Sequence, residues 1–525
     1  MKRRTFLAAA GASLLARPGL AMGPAGSDTR VLRFVPDSNL ASIDPVWNLI
    51  PVTRNHGMMV WDMLYGRDAT FLPQPQMVSG HEISEDGLTW RFALRDGLRF
   101  HDGTPVRSVD CLASIRRWAP RRPLGQRLLM LATAMTAIDD QRFEIRLSKP
   151  FPRMTYALSE FCFIMPERIA RTDPGTRITE AIGSGPFRFV ADEWVSGDRA
   201  VYTRFEQYQP RPEPASFTAG GKVAHFDRIE WHIIPDPATA AAALQDNEVD
   251  WVQQPQSDLL PLLRGNKPVN VLANDKVGVM GMLALNHLQP PFDNPKLRAA
   301  VLSAIDQKDF MAAATGDDPA MSLTPEGVFT PGMPMANDAG MAALTAPRDI
   351  ARSRKLVAES GYAGEHVLVM GAADSPVTQA MAQVAADLFR QLGLNVDYVS
   401  MDLGTLVQRR ANRNPPGQGG WSAFTTTYEG LTMADPATNV ALRGNGADAW
   451  FGWPTSPTLE ALREKWLDTP DLPAQRAIAE QIQVTALNEV PFIPLGQIFY
   501  PTAARTDIQD ILPSPFPIFW NVRKT

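Results

Sequence analysis

From His81 to Phe100 the chain has room for one kind of local structure. Trp90, Phe92 and Leu94 alternate with Arg91, Ala93 and Arg95, and the turn dipeptides Asp86-Gly87 and Asp96-Gly97 bracket the run. Period-two alternation places the two aromatics and the leucine on one face of a strand, and Asp-Gly between such runs is a strong hairpin signal. An antiparallel hairpin with one buried face is therefore expected. After it, Asp102-Gly103-Thr104-Pro105 predicts a turn, and Ser108 stands where an N-cap should for a helix through Cys111, Ile115 and Trp118. Between about Ile138 and Ser148, Phe143, Ile145 and Leu147 alternate again, so a further strand joins this small unit, and a helix from Met154 to Phe161 completes it.

The N-terminus predicts export. Lys2, Arg3 and Arg4 precede an apolar run from Phe6 to Ala16, and Gly19-Leu20-Ala21 supplies a small-residue cleavage site, so residues 1–21 read as a signal peptide. Arg3-Arg4 with Thr5, Phe6 and Leu7 has the form of a twin-arginine address. The apolar run is shorter than the roughly 20 residues that span a bilayer. Cys111 and Cys162 are the only cysteines, so no thiol stands at the cleavage site to carry a lipid, and a soluble periplasmic protein that is not a lipoprotein is expected. The two thiols are expected to be buried and unpaired rather than joined. A net charge of −5, with no Lys/Arg stripe interleaved with aromatics, argues against nucleic acid as a partner. Arg116, Arg117, Arg121 and Arg122 cluster around Pro120 and Pro123 and read as a solvated helix end.

A chain of 525 residues exceeds what one hydrophobic core organises, so two or three domains are expected. Val31 to Val35 reads as the first strand, followed by turn chemistry at Pro36-Asp37-Ser38-Asn39. Gly183-Ser184-Gly185-Pro186 breaks the chain ahead of a second β-rich region through Val201-Tyr202 and Ile229 to Ile234, and an Ala-rich helix runs from Ala238 to Gln245. The second half alternates helices (Asn294 to Ile305, Asp349 to Ser360, Val377 to Leu392) with strands (Leu283 to Asn286, His366 to Met370, Leu394 to Val399), which is an α/β pattern. Two amphipathic helices follow, Leu459 to Leu467 and Ala474 to Asn488. The Pro/Gly-rich connections Pro319 to Pro334 and Asn412 to Gly420 are long enough to be functional or mobile. Met333 and Met335 read as gap fillers.

The sequence offers no catalytic machinery. No HExxH pairs any of the seven histidines, no Walker glycine loop or GxGxxG is present, and Gly183-Ser184-Gly185 lacks the five-residue form of a nucleophile elbow and runs into Pro186. No catalytic residue, metal or cofactor is therefore assigned.

A pattern of another kind spans the chain. Gly87-Leu88-Thr89-Trp90, Leu94-Arg95-Asp96-Gly97 and Phe100-His101-Asp102-Gly103-Thr104-Pro105-Val106 with Asp110 resemble the signature of the family 5 extracellular solute-binding proteins of ABC importers. Supporting pieces are Gly183-Ser184-Gly185-Pro186-Phe187, Asn247-Glu248-Val249-Asp250, Asn286 with Pro291-Phe292, Leu297-Arg298-Ala299-Ala300 with Ala304-Ile305-Asp306, and Ser360-Gly361-Tyr362. The resemblance implies an α/β, type II periplasmic-binding-protein-like architecture, two lobes joined by a hinge, with a small α+β domain inserted in the first. It places lobe I in residues 22–44, 171–269 and 486–525, the inserted domain in 45–170, and lobe II in 270–485. It implies a monomer that closes on a peptide or other small solute and delivers it to permease subunits. By the same resemblance the ligand-facing segments are the loop with Asn39 and the stretch from Trp421 to Asp435, and the candidate ligand residues are Asn39, Trp421, Tyr428, Glu429, Thr432, Trp450 and Trp453. Peptide-binding relatives carry an aspartate a few residues before an acidic-Pro pair to receive an α-ammonium group. Here Thr432 stands three residues before Asp435-Pro436, and Glu429, from a shifted loop, is the candidate substitute. Two other readings are a secreted hydrolase acting on peptide or glycan, and a structural or chaperone-like periplasmic protein.

Overall fold

The computed structural model describes residues 30–316 and 318–525. The expected signal segment, residues 1–21, lies outside them. Three larger sheets organise the described residues, beside two of two strands each. The first has seven strands in the order Val269–Leu272, Thr502–Arg505, Trp251–Val252, Val31–Val35, Arg228–His232, Arg199–Arg204, Phe187–Phe189. Val31–Val35 lies at its centre, parallel to both neighbours, and is walled by Trp231, Trp251 and Phe519, whose ring centroids lie 5.7, 5.0 and 4.9 Å from that of Phe34. The second has six strands in the order Ser322–Leu323, Ile493–Ile498, Val279–Leu285, Ala423–Glu429, His366–Ala372, Asn395–Met401, and the helix Pro376–Gln391 packs on it. The third has four strands, Val78–Ile83, Thr89–Leu94, Arg142–Leu147 and Ala132–Ala137, in that order.

The hairpin is present: Val78–Ile83 and Thr89–Leu94 pair antiparallel, and Trp90, Phe92 and Leu94 are buried while Arg91 is exposed. The second face partner of Thr89–Leu94 is the strand Arg142–Leu147, the one expected from Phe143, Ile145 and Leu147. The helix Ser108–Trp118 follows, but Arg107 is its N-cap. Ser108 already lies inside the helix, with its hydroxyl donating to the Asp139 carbonyl, and Asp110 reaches back to accept the Arg107 N–H at 2.8 Å. A cap one residue earlier is within the ordinary slack of helix ends.

The arginine cluster after that helix is only partly a solvated end. Arg117 is buried and holds Asp44 through two hydrogen bonds of 2.7 and 3.1 Å, and Arg122 faces Glu160. A buried carboxylate supplies the countercharge that makes a buried guanidinium tolerable. Cys111 and Cys162 are both free and buried, and burial raises both thiols.

Gly183 and Gly185 explain their motif without chemistry. The turn passes so close to the end of the helix Pro51–Val60 that a Cβ at Gly183 would lie 1.8 Å from the Val60 carbonyl oxygen, while the Gly185 N–H donates to that same oxygen at 2.8 Å. Ser184 accepts the Asp62 N–H, which is a packing role. Elements not anticipated include the helices Pro51–Val60, Pro123–Leu131, Gln307–Thr315 and Leu403–Arg409 and the strands Ile493–Ile498 and Thr502–Arg505. The helix Pro51–Val60 carries Arg54, Asn55 and His56 on buried turns, so its polar sequence hides an element buried from Val52 onward. Among the described residues no helix is long and apolar enough to cross a membrane.

Candidate functional site

The chain crosses between the seven-stranded and six-stranded sheets twice, at 273–278 on the way out and 499–501 on the way back. The crossings lie side by side because Val279–Leu285 and Ile493–Ile498 are paired antiparallel, with Val279 opposite Ile498. Gly278 sits at this junction with φ +52°, and a Cβ there would meet the Ile498 carbonyl oxygen at 2.2 Å, so the close approach demands glycine. Asp275 caps the bend by accepting the N–H groups of Val277 (2.8 Å) and Gly278 (2.9 Å).

Above the crossings lies a cavity of about 230 Å³ with walls from both sheets. From the seven-stranded side come Asp37, Gln253 and Trp251, each at or just beyond a strand end, and Phe516 from the C-terminal segment. From the six-stranded side come Val279 and Glu429, which face one another in register at the ends of paired strands. Arg54 reaches in from the helix Pro51–Val60 and spans the gap: its Nη1 donates to Glu429 Oε1 at 2.8 Å and Oε2 at 2.7 Å, while the guanidinium lies over the Phe516 ring at 4.6 Å. Its side chain is 8% exposed and that of Glu429 is 37% exposed. The bridge therefore has a protein end and a wet end. Burial raises the Asp37 carboxyl beyond what the Ser38 hydroxyl and Arg54 take back, and burial likewise raises Asp275 against the pull of the Gly278 and Val277 N–H groups.

Of the seven residues expected at a ligand, Glu429 lines this cavity. Asn39 ties down a neighbouring loop, accepting the Gly197 N–H (2.8 Å) and donating to Ser196 Oγ (3.2 Å), while Asp37, two residues earlier, reaches the wall. The stretch from Trp421 to Asp435 begins as a sheet strand, Ala423–Glu429, and only its end opens on the cavity. Trp421 is fully buried against Phe424 and Trp453, with its indole N–H donated to the Arg410 carbonyl at 3.0 Å. Trp453 is buried in the same cluster. Trp450, half-buried, donates to the Tyr428 hydroxyl at 2.8 Å. Thr432 lies in the turn after the strand, its N–H bonded to the Glu429 carbonyl at 2.9 Å. Sequence reasoning missed Arg54, Asp37 and Asp275. The available signals were Pro51 opening a helix and an aspartate in the turn after the first strand.

A second contact joins the four-stranded unit to the six-stranded one. Tyr156 donates to Asp435 Oδ2 at 2.7 Å, Arg153 donates to Gln475 Oε1 at 2.8 Å and lies over Trp466, and Arg127 and Lys149 face Asp468. Met335 and Trp466 line a slot of about 110 Å³ there. Met333 and Met335 are both buried, Met335 taking the Trp466 indole N–H on its sulfur, which is a filler's role. Among the described residues no group of three or more His, Cys, Asp or Glu is placed to hold a metal ion.

The family model of the bacterial extracellular solute-binding proteins, family 5, matches residues 73–439. The chain belongs to this family. The probable peptide ABC transporter periplasmic-binding protein y4tO of Sinorhizobium fredii is 37% identical over 489 residues, 93% of this chain and 92% of the relative. Among solved structures, the ABC transporter substrate binding protein CtaP of Listeria monocytogenes superposes with a TM-score of 0.77 at 22% identity, covering 94% of this chain and 99% of that one. The dipeptide binding protein of Pseudoalteromonas sp. SM9913, solved with Met-Leu, gives 0.74 at 20% identity over 94% and 100%. The fold is thus the two-lobed, type II periplasmic-binding-protein architecture with an extra domain, as the sequence motifs implied. This family 5 member is a solute-binding protein of an ABC transporter, not an enzyme.

Proposed function

We propose that this chain is the periplasmic substrate-binding component of an ABC importer, which encloses a peptide-like or other small solute in the cavity over the crossings and passes it on intact to permease subunits. The observation that carries the reading is the 230 Å³ cavity walled by both sheets and spanned by Arg54 and Glu429. A solute touching both walls stabilises the closed arrangement over the open one, and only such differential contact can drive closure. Pairing Val279 with both Glu429 and Ile498 makes the two crossings a natural hinge.

In this reading lobe I comprises 22–44, 171–269 and 486–525, the inserted domain 45–170 and lobe II 270–485, except that Val269–Leu272 pairs in the seven-stranded sheet and Ile493–Ile498 in the six-stranded one, which moves those two boundaries to the crossings at 273–278 and 499–501. Residues 1–21 are removed after export by a twin-arginine route, and the mature protein is a soluble monomer without a lipid. The names of the relatives support the importer and the periplasm; the sequence alone supports the signal. Among the seven residues expected from the sequence, Glu429 is the ligand-facing one, and Arg54, Asp37 and Asp275 join it.

Native mass spectrometry of protein taken from its host tests the proposal. A small solute bound one to one and released unaltered is the expected result. A solute cleaved on incubation with purified protein would instead favour a hydrolase.

A further inference from the structure

The ion pairs that join the six-stranded body to the rest of the chain all run the same way. Among the described residues the cation stands on the side of the seven- and four-stranded sheets, and the carboxylate on the side of the six-stranded one. Arg54 meets Glu429 at 2.7 Å at the cavity, and Arg264 meets Asp318 at 3.1 Å. At the contact with the four-stranded sheet, Arg127 meets Glu464 at 2.9 Å and Asp468 at 3.4 Å, and Lys149 meets Asp468 at 2.5 Å. Glu160, on the cationic side near Asp435, faces Arg122 at 3.8 Å, which offsets its charge. The pairs between the seven- and four-stranded sides are of another kind: Lys222 with Asp62 and Arg117 with Asp44 are almost wholly buried and run in opposite directions. Asp468 supplies a second, independent sign. It is the last residue of the helix Pro457–Asp468, and Glu464 lies one turn before it on the same face. A helix dipole favours cations at that end and disfavours carboxylates. Arg127 and Lys149 offset the penalty only while the two bodies are together.

We infer that this one-signed seam is an electrostatic latch, which draws the two bodies together before any solute arrives and loosens as ionic strength rises. This rests on the chain opening at the crossings, as proposed above. The four carboxylate side chains are between 34% and 55% exposed, so water and salt reach every pair. One such pair changes the closed-to-open ratio by up to about fivefold. Four cations acting in the same sense multiply to about tenfold or more, and none of them faces a like charge across the seam that would cancel the gain. The latch fixes where the opening equilibrium starts, and a solute that bridges the walls shifts it from there. Because the buried pairs Lys222–Asp62 and Arg117–Asp44 are shielded from salt, the seven- and four-stranded sheets stay joined while the six-stranded body swings away.

Small-angle scattering tests the latch on two samples, protein as purified from its host and the same protein stripped of solute by dialysis in urea and refolding. The stripped protein should be compact in about 20 mM NaCl and show a larger radius of gyration in about 1 M NaCl, where the screening length falls to about 3 Å. Glu464→Lys with Asp468→Lys should open the stripped chain at low salt, and adding Arg127→Glu with Lys149→Glu should close it again, with circular dichroism confirming that each variant is folded. A radius that ignores salt, a reversed variant as compact as the unaltered chain, or a charge swap that restores nothing overturns the latch. Should the lysine variant fail to fold, the salt response of the unaltered chain decides alone. A stripped protein that is larger than the purified one at every salt concentration overturns the latch and leaves the hinge reading standing. One radius across both samples, both salts and every variant overturns the hinge reading as well.

Discussion

Two arginine–carboxylate pairs stand near one another in sequence at their acidic and basic ends, and they are built to opposite purposes. Arg117 and Asp44 are 1% and 0% exposed and leave nothing unpaired: Arg117 also donates to the carbonyls of Thr172 and Thr176, and Asp44 also accepts the N–H groups of Val46, Trp47 and Ile178. Arg54 and Glu429 share one Nη1, leave Arg54 Nε without a partner among the described residues, and keep Glu429 half in water. A fully satisfied buried pair fixes a loop, because losing either partner strands a charge. A half-satisfied pair with one wet end can open and close, because water takes over when it parts. The first holds a fixed wall, and in the proposed reading the second spans the gap that closes on a solute.

The difference predicts unequal costs. Arg117→Ala should lower the unfolding free energy by about 3–5 kcal/mol in urea titration, since Asp44 would remain buried without its cation. Arg54→Ala should cost about 1 kcal/mol or less, because Glu429 can hydrate. Equal losses would break the comparison.

Tyr156 sharpens it from the other contact between the four-stranded and six-stranded units. Its hydroxyl donates to Asp435, which also accepts the N–H groups of Ala437 and Thr438. Tyr156→Phe should weaken this contact between the two units by about 1.5–3 kcal/mol, the worth of a hydrogen bond to a charged group, read as a larger radius of gyration in small-angle scattering without ligand.

Titration separates the regions by sign. Burial raises Asp44, but the Arg117 guanidinium and the Ile178 N–H outweigh it and hold that carboxyl below its ordinary value near 3.8. Its stabilisation is therefore complete above that value and lost as pH falls through the lowered one. Asp37 and Asp275 are raised, so the folded chain keeps protons that the unfolded chain has released. Their contribution makes stability fall as pH rises from about 3.8 through the raised values, and level off beyond. Relative to the unaltered chain, Asp37→Asn with Asp275→Asn should thus be the more stable protein at pH 7, with the advantage shrinking toward pH 4 in parallel urea titrations. Asp468→Asn, which loses partly exposed contacts to Arg127 and Lys149, should change stability least, by about 0.5 kcal/mol, and not at all in high salt.

Much of the fold was legible before any tertiary contact was known. The alternation of Trp90, Phe92 and Leu94, the Ala-rich helix and the α/β rhythm of the second half are local periodicities, and each reports which side of its own element is apolar. The motifs around Asp96-Gly97 and Asp102-Gly103 carried the family with them. The helix Pro51–Val60 escaped because Arg54, Asn55 and His56 look solvent-facing in sequence, whereas partners far along the chain take them up: Glu429 holds Arg54, and Tyr202 bonds to His56.

The cavity wall itself belongs to the second kind of information. The sequence determined that strands would end near Val35 and that turn-forming residues would follow. Only the sheet order decided that those ends, the crossing at Asp275, the tip of Ala423–Glu429 and the segment at Phe516 would meet around one space. The reason is physical: period and capping are fixed by neighbours in the chain, but a cavity is made by segments hundreds of residues apart, whose meeting depends on which strands pair.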